Sequence, residues 1–221
     1  FDNIKSIEPY KERTKPTLNF YQKHFHLAQR SVASKGYYEV ITWSFTDEKL
    51  NDKFKEHYNT TKIINPISSD LSVLRNSLFP NLIFYMEKNL NRGFSDQSLF
   101  EIGPVFTDKK PGDQITVVCG IKKKYYNEEN QLKKDGLDVF HIKKDLIQTL
   151  VELGVEKSQM LVNDQTPSYY HPGISGSISS KDGKYLFGYF GQIHPKITKI
   201  SFGFEIFLEN LVKFKIKNKK N

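Results

Sequence analysis

Cysteine, arginine and long apolar runs are all scarce in this 221-residue chain. The single cysteine, Cys119, excludes a disulfide framework, a zinc ribbon and a Cys-X-X-C redox pair. No stretch approaches the ~18–20 apolar residues of a membrane span. There is no signal peptide, and the chain starts at Phe1, so it reads as an internal fragment of a cytoplasmic protein. No internal repeat, P-loop, G-x-G-x-x-G, G-x-S-x-G, H-E-x-x-H or kinase-like set occurs. The only arginines are Arg13, Arg30, Arg75 and Arg92, so none lies between Gly93 and Asn221.

What is present suits a globular fold. Hydrophobic residues make up 38% and aromatics 14%, which is too much large apolar surface for a disordered chain. A domain of this length buries ~70% of its unfolded surface and needs no metal or disulfide to hold it. The net charge is +8, but Lys213, Lys215, Lys217, Lys219 and Lys220 follow residue 210 without a single acid, leaving +3 for the rest. Specific phosphate and base recognition leans on arginine's planar fork, and this charge is nearly all lysine. A solvated surface with a basic tail and a nucleic-acid face are both readings of this charge.

Residues 1–16 read as a connector, 17–210 as one domain and 211–221 as a Lys-rich mobile tail. Pro16 precedes Leu18, Tyr21, Phe25, Ala28 and Val32 at helical spacing, and Lys35-Gly36 ends that helix. Tyr37 to Phe45 reads as a strand, 47–57 as a short polar helix and Ile63–Ile64 as a short strand. Pro80 opens a helix closed by Gly93. Leu99–Phe106 reads as a strand interrupted at Gly103-Pro104, and Ile115–Ile121 as a central strand. The charged stretch 122–137 reads as a loop, and Val139 to Leu153 forms a third helix before Gly154. Ile174–Ser180 and Tyr185–Phe190 flank Asp182-Gly183, a hairpin signal, and Phe202–Leu208 is a last strand. The fold class is α+β: an antiparallel sheet with packed helices.

Few residues carry chemistry by spacing. His24 and His26 are two apart on a helix and do not share a face. Cys119 sits in an apolar run and reads as a buried, inert thiol. His171 and His194 each precede proline, which suits turns ordered by hydrogen bonding more than general-base catalysis.

The motifs are more specific. The run Asn65-Pro66-Ile67-Ser68-Ser69-Asp70-Leu71-Ser72-Val73-Leu74-Arg75-Asn76-Ser77-Leu78-Phe79-Pro80 resembles the β subunit of bacterial phenylalanyl-tRNA synthetase. Leu99-Phe100-Glu101-Ile102-Gly103-Pro104-Val105-Phe106, Tyr170-His171-Pro172-Gly173, Gly188 to His194-Pro195, and Phe204-Glu205-Ile206 follow in the same order. Asp138-Val139-Phe140-His141 is similar to a helix start of that family. Where the family carries arginine after His-Pro-Gly, this chain has Ile174.

The resemblance, over residues 37–208, implies a degenerate class II aminoacyl-tRNA synthetase core: a non-catalytic module that scaffolds the catalytic α subunit and supports tRNA(Phe) aminoacylation. Class II active sites use arginines in a mid-chain strand and near the end, where this chain has none. The resemblance therefore implies no catalytic, cofactor or metal residue in this chain, with ATP and Mg belonging to the whole ligase. The family's editing and metal-binding segments lie upstream of these motifs, and its anticodon-binding domain downstream. Helix 17–35 and strand 37–45 resemble the class II dimer-interface unit, with Phe20, His24, Leu27 and Tyr38 as candidate contacts. Asn65, Pro66, Arg75, Glu101, Gly103, His171, Pro172, Gly173, His194 and Pro195 are family-motif residues without an assigned role. An independent RNA-binding module without a ligase partner is the alternative.

Overall fold

Strand β5 (Gln114–Lys123) turns Val117, Cys119 and Ile121 to one face and Val118 to the other, and both faces are buried. A strand buried on both sides belongs inside a sheet. In the computed structural model of the chain it lies in a seven-stranded sheet of order β1-β4-β5-β9-β8-β7-β6. These strands are β1 (Tyr38–Glu39), β4 (Gln97–Phe106), β6 (Met160–Asn163), β7 (Tyr170–Ser180), β8 (Leu186–Ile193) and β9 (Phe202–Phe207) beside β5. β1 runs parallel to β4, and every other pairing in this sheet is antiparallel. Strands β2 (Phe45–Thr46) and β3 (Val73–Leu74) form a separate antiparallel pair. The structure describes residues 2–8, 18–94, 97–123, 137–198 and 201–218, with side chains of the last helix as far as Lys215.

One face of the sheet is covered by α1 (Phe20–Ala33), α4 (Val139–Glu152) and α5 (Leu208–Asn218). Ala28, Val32, Ile142, Leu146, Leu150, Leu211 and Phe214 pack there on Phe100, Val118, Phe204 and Ile206. The other face is covered by α3 (Phe79–Leu90), whose Leu82, Ile83 and Met86 meet Leu99, Val117, Cys119 and Ile121, and by Phe54 just after α2 (Glu48–Asp52). Capping boxes fix two helix starts: Asn19 with Gln22 on α1, and Asp138 with His141 on α4. Gly36 ends the first helical segment at φ +82°, and Gly183 turns the β7–β8 hairpin at φ +70°.

The α+β architecture agrees with the sequence reading, and four elements differ. The 37–45 strand is broken. Val40 N–H donates to Phe100 O at 2.8 Å, and the chain then leaves this sheet, pairing again only from Phe45 in the separate β2–β3 ladder, because buried side chains described below hold Thr42 and Trp43. Gly103-Pro104 does not interrupt β4: the Pro104 carbonyl and the Phe106 N–H both face Arg75, so the missing proline N–H falls on the open edge of the strand. The Ile63–Ile64 strand reduces to a bridge between Lys62 and Val73. The mobile tail from 211 is corrected over 211–218, which belongs to α5. Its Leu211, Val212 and Phe214 are buried, so apolar residues between the lysines supply the core contact that a tail would lack. The connector 1–16 is described only over 2–8, which is exposed, and most of the 122–137 loop lies outside the described residues.

If α5 is part of the core, Phe214→Ala costs about 3 kcal/mol, the usual scale for truncating a buried aromatic. Urea unfolding measures it, and a change under about 0.5 kcal/mol would return this segment to a tail.

Candidate functional site

Arg75 follows β3 into the interior, and its side chain is 2% exposed. A buried guanidinium is tolerated only with a counter-charge and satisfied donors. Nη1 donates to Glu101 Oε1 at 2.8 Å, to Thr42 Oγ1 at 2.9 Å and to the Trp43 carbonyl at 3.3 Å, while Nε donates to the Pro104 carbonyl at 3.0 Å. Thr42 Oγ1 in turn donates to Glu101 Oε2 at 2.7 Å. Asn81 on α3 completes the cluster, its Nδ2 donating to the Trp43 carbonyl at 2.7 Å and to Thr42 Oγ1 at 3.0 Å. The Glu-Ile-Gly-Pro motif is thereby explained. Glu101 supplies the charge, Pro104 an acceptor, and Gly103 the room, since a Cβ there would stand 2.5 Å from Arg75 Nη2. The outcome is a segment clamped from beneath with Ile41 and Trp43 turned outward, 91% and 62% exposed.

A second buried carboxylate lies on the same face of the sheet. Glu205 on β9 accepts hydrogen bonds from Tyr169 Oη at 2.8 Å, Ser77 Oγ at 3.2 Å and Tyr170 Oη at 3.4 Å. No described cation pairs with it. Burial drives its pKa up to about 7, the three hydroxyls hold it down, and Glu56 adds a further upward push. Glu205 floors a cavity of about 170 Å³ with Phe54 and Tyr169, walled by Tyr58, Tyr189, Phe207 and Asn210, with Glu56 and His57 at the rim. Among the described residues no lysine or arginine lines it. Its phenols carry the same electrostatic signature. Burial first, then Glu56 and Glu205, take Tyr189 up to about 12, and burial followed by Glu205, Glu56 and Glu209 raises Tyr58. Such a cavity disfavours added negative charge.

The other singled-out residues fall into separate places. His171 and His194 come together at the adjacent ends of β7 and β8, rings stacked with centroids 6.4 Å apart. Each closes its own turn: His171 Nδ1 accepts from Gly173 N–H and His194 Nδ1 from Lys196 N–H, both at 3.1 Å. Pro172, Gly173 and Pro195 are exposed beside them, while Asn65 and Pro66 lie on an exposed loop away from both buried carboxylates. Tyr38 is 75% exposed on the edge strand, and Phe20 and His24 are half-buried on α1, where His24 Nδ1 bonds the Phe20 carbonyl oxygen at 2.8 Å. Leu27 is half-buried and packs against the main core, because the apolar stripe of α1 is wide enough to include it. Cys119 is fully buried, and burial raises its thiol well above its usual range. Thr42, Asn81, Tyr169 and Ser77 were not singled out as site residues in the sequence. The signal for the Glu205 site was an acid inside the apolar run Phe202–Phe207.

Two measurements test these assignments. Arg75→Met leaves Glu101 buried without its counter-ion and costs about 3–5 kcal/mol, more than the double variant Arg75→Met/Glu101→Met; equal or greater loss in the double variant contradicts a paired role. For Glu205 the folded pKa lies above the unfolded value of 4.5, so the two states bind protons alike below that pH. Between there and about 7 the unfolded chain releases a proton that the folded chain keeps, and stability falls as pH rises. Glu205→Gln therefore gains about 3 kcal/mol on wild type between pH 4 and pH 8, read from paired urea titrations.

Comparison with known proteins follows the same lines. The model of the family described as "Phenylalanyl tRNA synthetase beta chain CLM domain" matches residues 4–205. The phenylalanine–tRNA ligase beta subunit of Bartonella henselae is 33% identical over 237 residues, covering 100% of this chain and 29% of that protein. That of Paramagnetospirillum magneticum is 35% identical over 228 residues, covering 100% of this chain and 28% of its own length. The chain thus spans under a third of these relatives. The solved structure of PylSc, a pyrrolysyl-tRNA synthetase from Desulfitobacterium hafniense, superposes with a TM-score of 0.64 at 14% identity, covering 88% of this chain and 68% of that one. That likeness establishes the fold, a class II synthetase core. With these motifs and this match, the chain belongs to the CLM-domain family of phenylalanyl-tRNA synthetase beta chains.

Proposed function

We propose that the chain is the non-catalytic core-like module of a phenylalanine–tRNA ligase β subunit, docking the catalytic α subunit and supporting aminoacylation of tRNA(Phe). The observation that carries this reading is the charge of the Glu205 cavity. Adenylate formation needs fixed cations around the ATP phosphates, and this cavity is lined by Glu205 and Glu56 with no lysine or arginine. Among the described residues the lining offers a nucleotide no cation, which supports assigning ATP and Mg to the α subunit.

The docking face is read from the edge of the sheet. β1 pairs on one side only, with β4. Tyr38, Ile41 and Trp43 are exposed along this edge, and Trp43 shares an apolar hollow with Phe84 of α3. An interface concentrates its energy in a few aromatic anchors that become buried on binding. Because Arg75 and Asn81 hold the backbone of Trp43, its ring is presented without a flexible loop to order. Phe20 and His24 extend the face along α1, and tRNA contact falls to the lysine-rich surface.

The purified chain is expected to give no ATP–pyrophosphate exchange until the matching α subunit is added. Exchange by the chain alone would refute the reading. Tyr38→Asp/Trp43→Asp is expected to abolish co-purification with the α subunit at unchanged melting temperature, whereas Leu27→Asp lowers the melting temperature. Retained co-purification of the double variant would move the interface elsewhere.

A further inference from the structure

The cavity over Glu205 has a selective chemistry. Its two ends are aromatic: Phe54 stacks near Tyr169 with centroids 5.3 Å apart, and Tyr189 meets Phe207 edge-on at 5.7 Å. Between them the buried carboxylate of Glu205 has hydroxyl donors only, while the nearest buried guanidinium, that of Arg75, is committed to Glu101. Glu56 adds a second carboxylate at the rim. A cavity with aromatic walls, one buried anion and no cation is complementary to a small organic cation with a flat apolar body. It opposes carboxylates and phosphates, for which no lysine or arginine stands ready among the described residues.

We infer that this cavity binds a small aromatic ammonium compound, its ammonium on Glu205 and its ring between the Tyr169 and Tyr189 walls. About 170 Å³ holds one six-membered ring with a short arm. Faces of Tyr and Phe attract the cation, and expulsion of water from the apolar walls adds to the binding. The inference stands independently of α-subunit docking, because the lining of this cavity shares no residue with the Trp43 hollow.

Binding is also linked to protons. A cation on Glu205 requires the ionised carboxylate, which in the free chain is half-formed near pH 7. Affinity therefore rises with pH until Glu205 is fully ionised. The other titratable groups facing it are Tyr169, Tyr170, Cys119, Tyr58, Tyr189 and Glu56, with His57 on the rim. The phenols and the thiol are all raised by burial and keep their protons across this pH range.

The test is a calorimetric or ligand-observed NMR titration of the whole chain with benzylammonium, benzyl alcohol and benzoate, three probes of one shape and three charges. Benzylammonium is expected to bind saturably and at least tenfold more tightly than benzyl alcohol, with benzoate undetectable. Its affinity is expected to be about tenfold weaker at pH 6 than at pH 8. Glu205→Gln should remove both the preference for the cation and the pH dependence, leaving benzyl alcohol unaffected. Should that variant fail to fold, the exposed Glu56→Gln is expected to weaken benzylammonium severalfold and leave benzyl alcohol unchanged. Equal binding of the three probes overturns the inference, as does a cation preference that survives in Glu205→Gln. A pH dependence that persists in that variant overturns the role of Glu205.

Discussion

A guanidinium taken out of water cannot be left half-satisfied, and the contacts of Arg75 organise one whole flank of the fold. To meet its donors the chain brings together Glu101 and Pro104 from β4 and Thr42 and Trp43 from the segment that leaves β1. Asn81 adds α3 to the same knot. Removing any one partner strands a buried charge or donor, a cost of several kcal/mol against a total stability of about 5–15 kcal/mol for an ordinary domain. The pair therefore specifies a geometry more than it stabilises one. It breaks what propensity would make a nine-residue strand, and by breaking it turns Ile41 and Trp43 to solvent.

The two buried carboxylates show how one side-chain type is put to different ends by its surroundings. Glu101 faces a permanent cation and serves as its counter-ion. Glu205 faces two phenols and a serine, which stabilise the anion by hydrogen bonding without neutralising it. Its proton affinity is consequently lifted by burial to the middle of the physiological range. A carboxylate in this condition, with no cation paired to it among the described residues, disfavours further negative charge nearby.

Much of the architecture was legible because it follows from local pattern. Asp182-Gly183 announced the hairpin, and Val139, Ile142, Leu146 and Leu150 announced α4. The apolar run around Cys119 announced an interior strand. What was illegible depends on contacts distant in sequence. Nothing near Thr42 says that Arg75, 33 residues on, will pull it out of the sheet. Lysines at 213 and 215 masked Leu211, Val212 and Phe214, which occupy one side of a helix and reach the core. The site was legible as motifs and illegible as chemistry. Glu101, Gly103 and Pro104 were visible as a conserved-looking string, but Gly103's purpose emerges only with the guanidinium lying across it.

The strand order sets a schedule for biosynthesis. β9 lies between β5 and β8, so the half-sheet β1-β4-β5 and the half-sheet β8-β7-β6 are joined through the strand made after both of them. Until residue 207 has left the ribosome, β5 and β8 each present a bare hydrogen-bonding edge backed by apolar side chains. At ~5–20 residues per second, the roughly 80 residues between β5 and the end of β9 take several seconds or more to appear. For that interval the nascent chain carries the open edge of β5, joined over roughly the last 14 residues by that of β8, and such edges recruit other strands. The last strand acts as a keystone, and the hazard ends only when it is set.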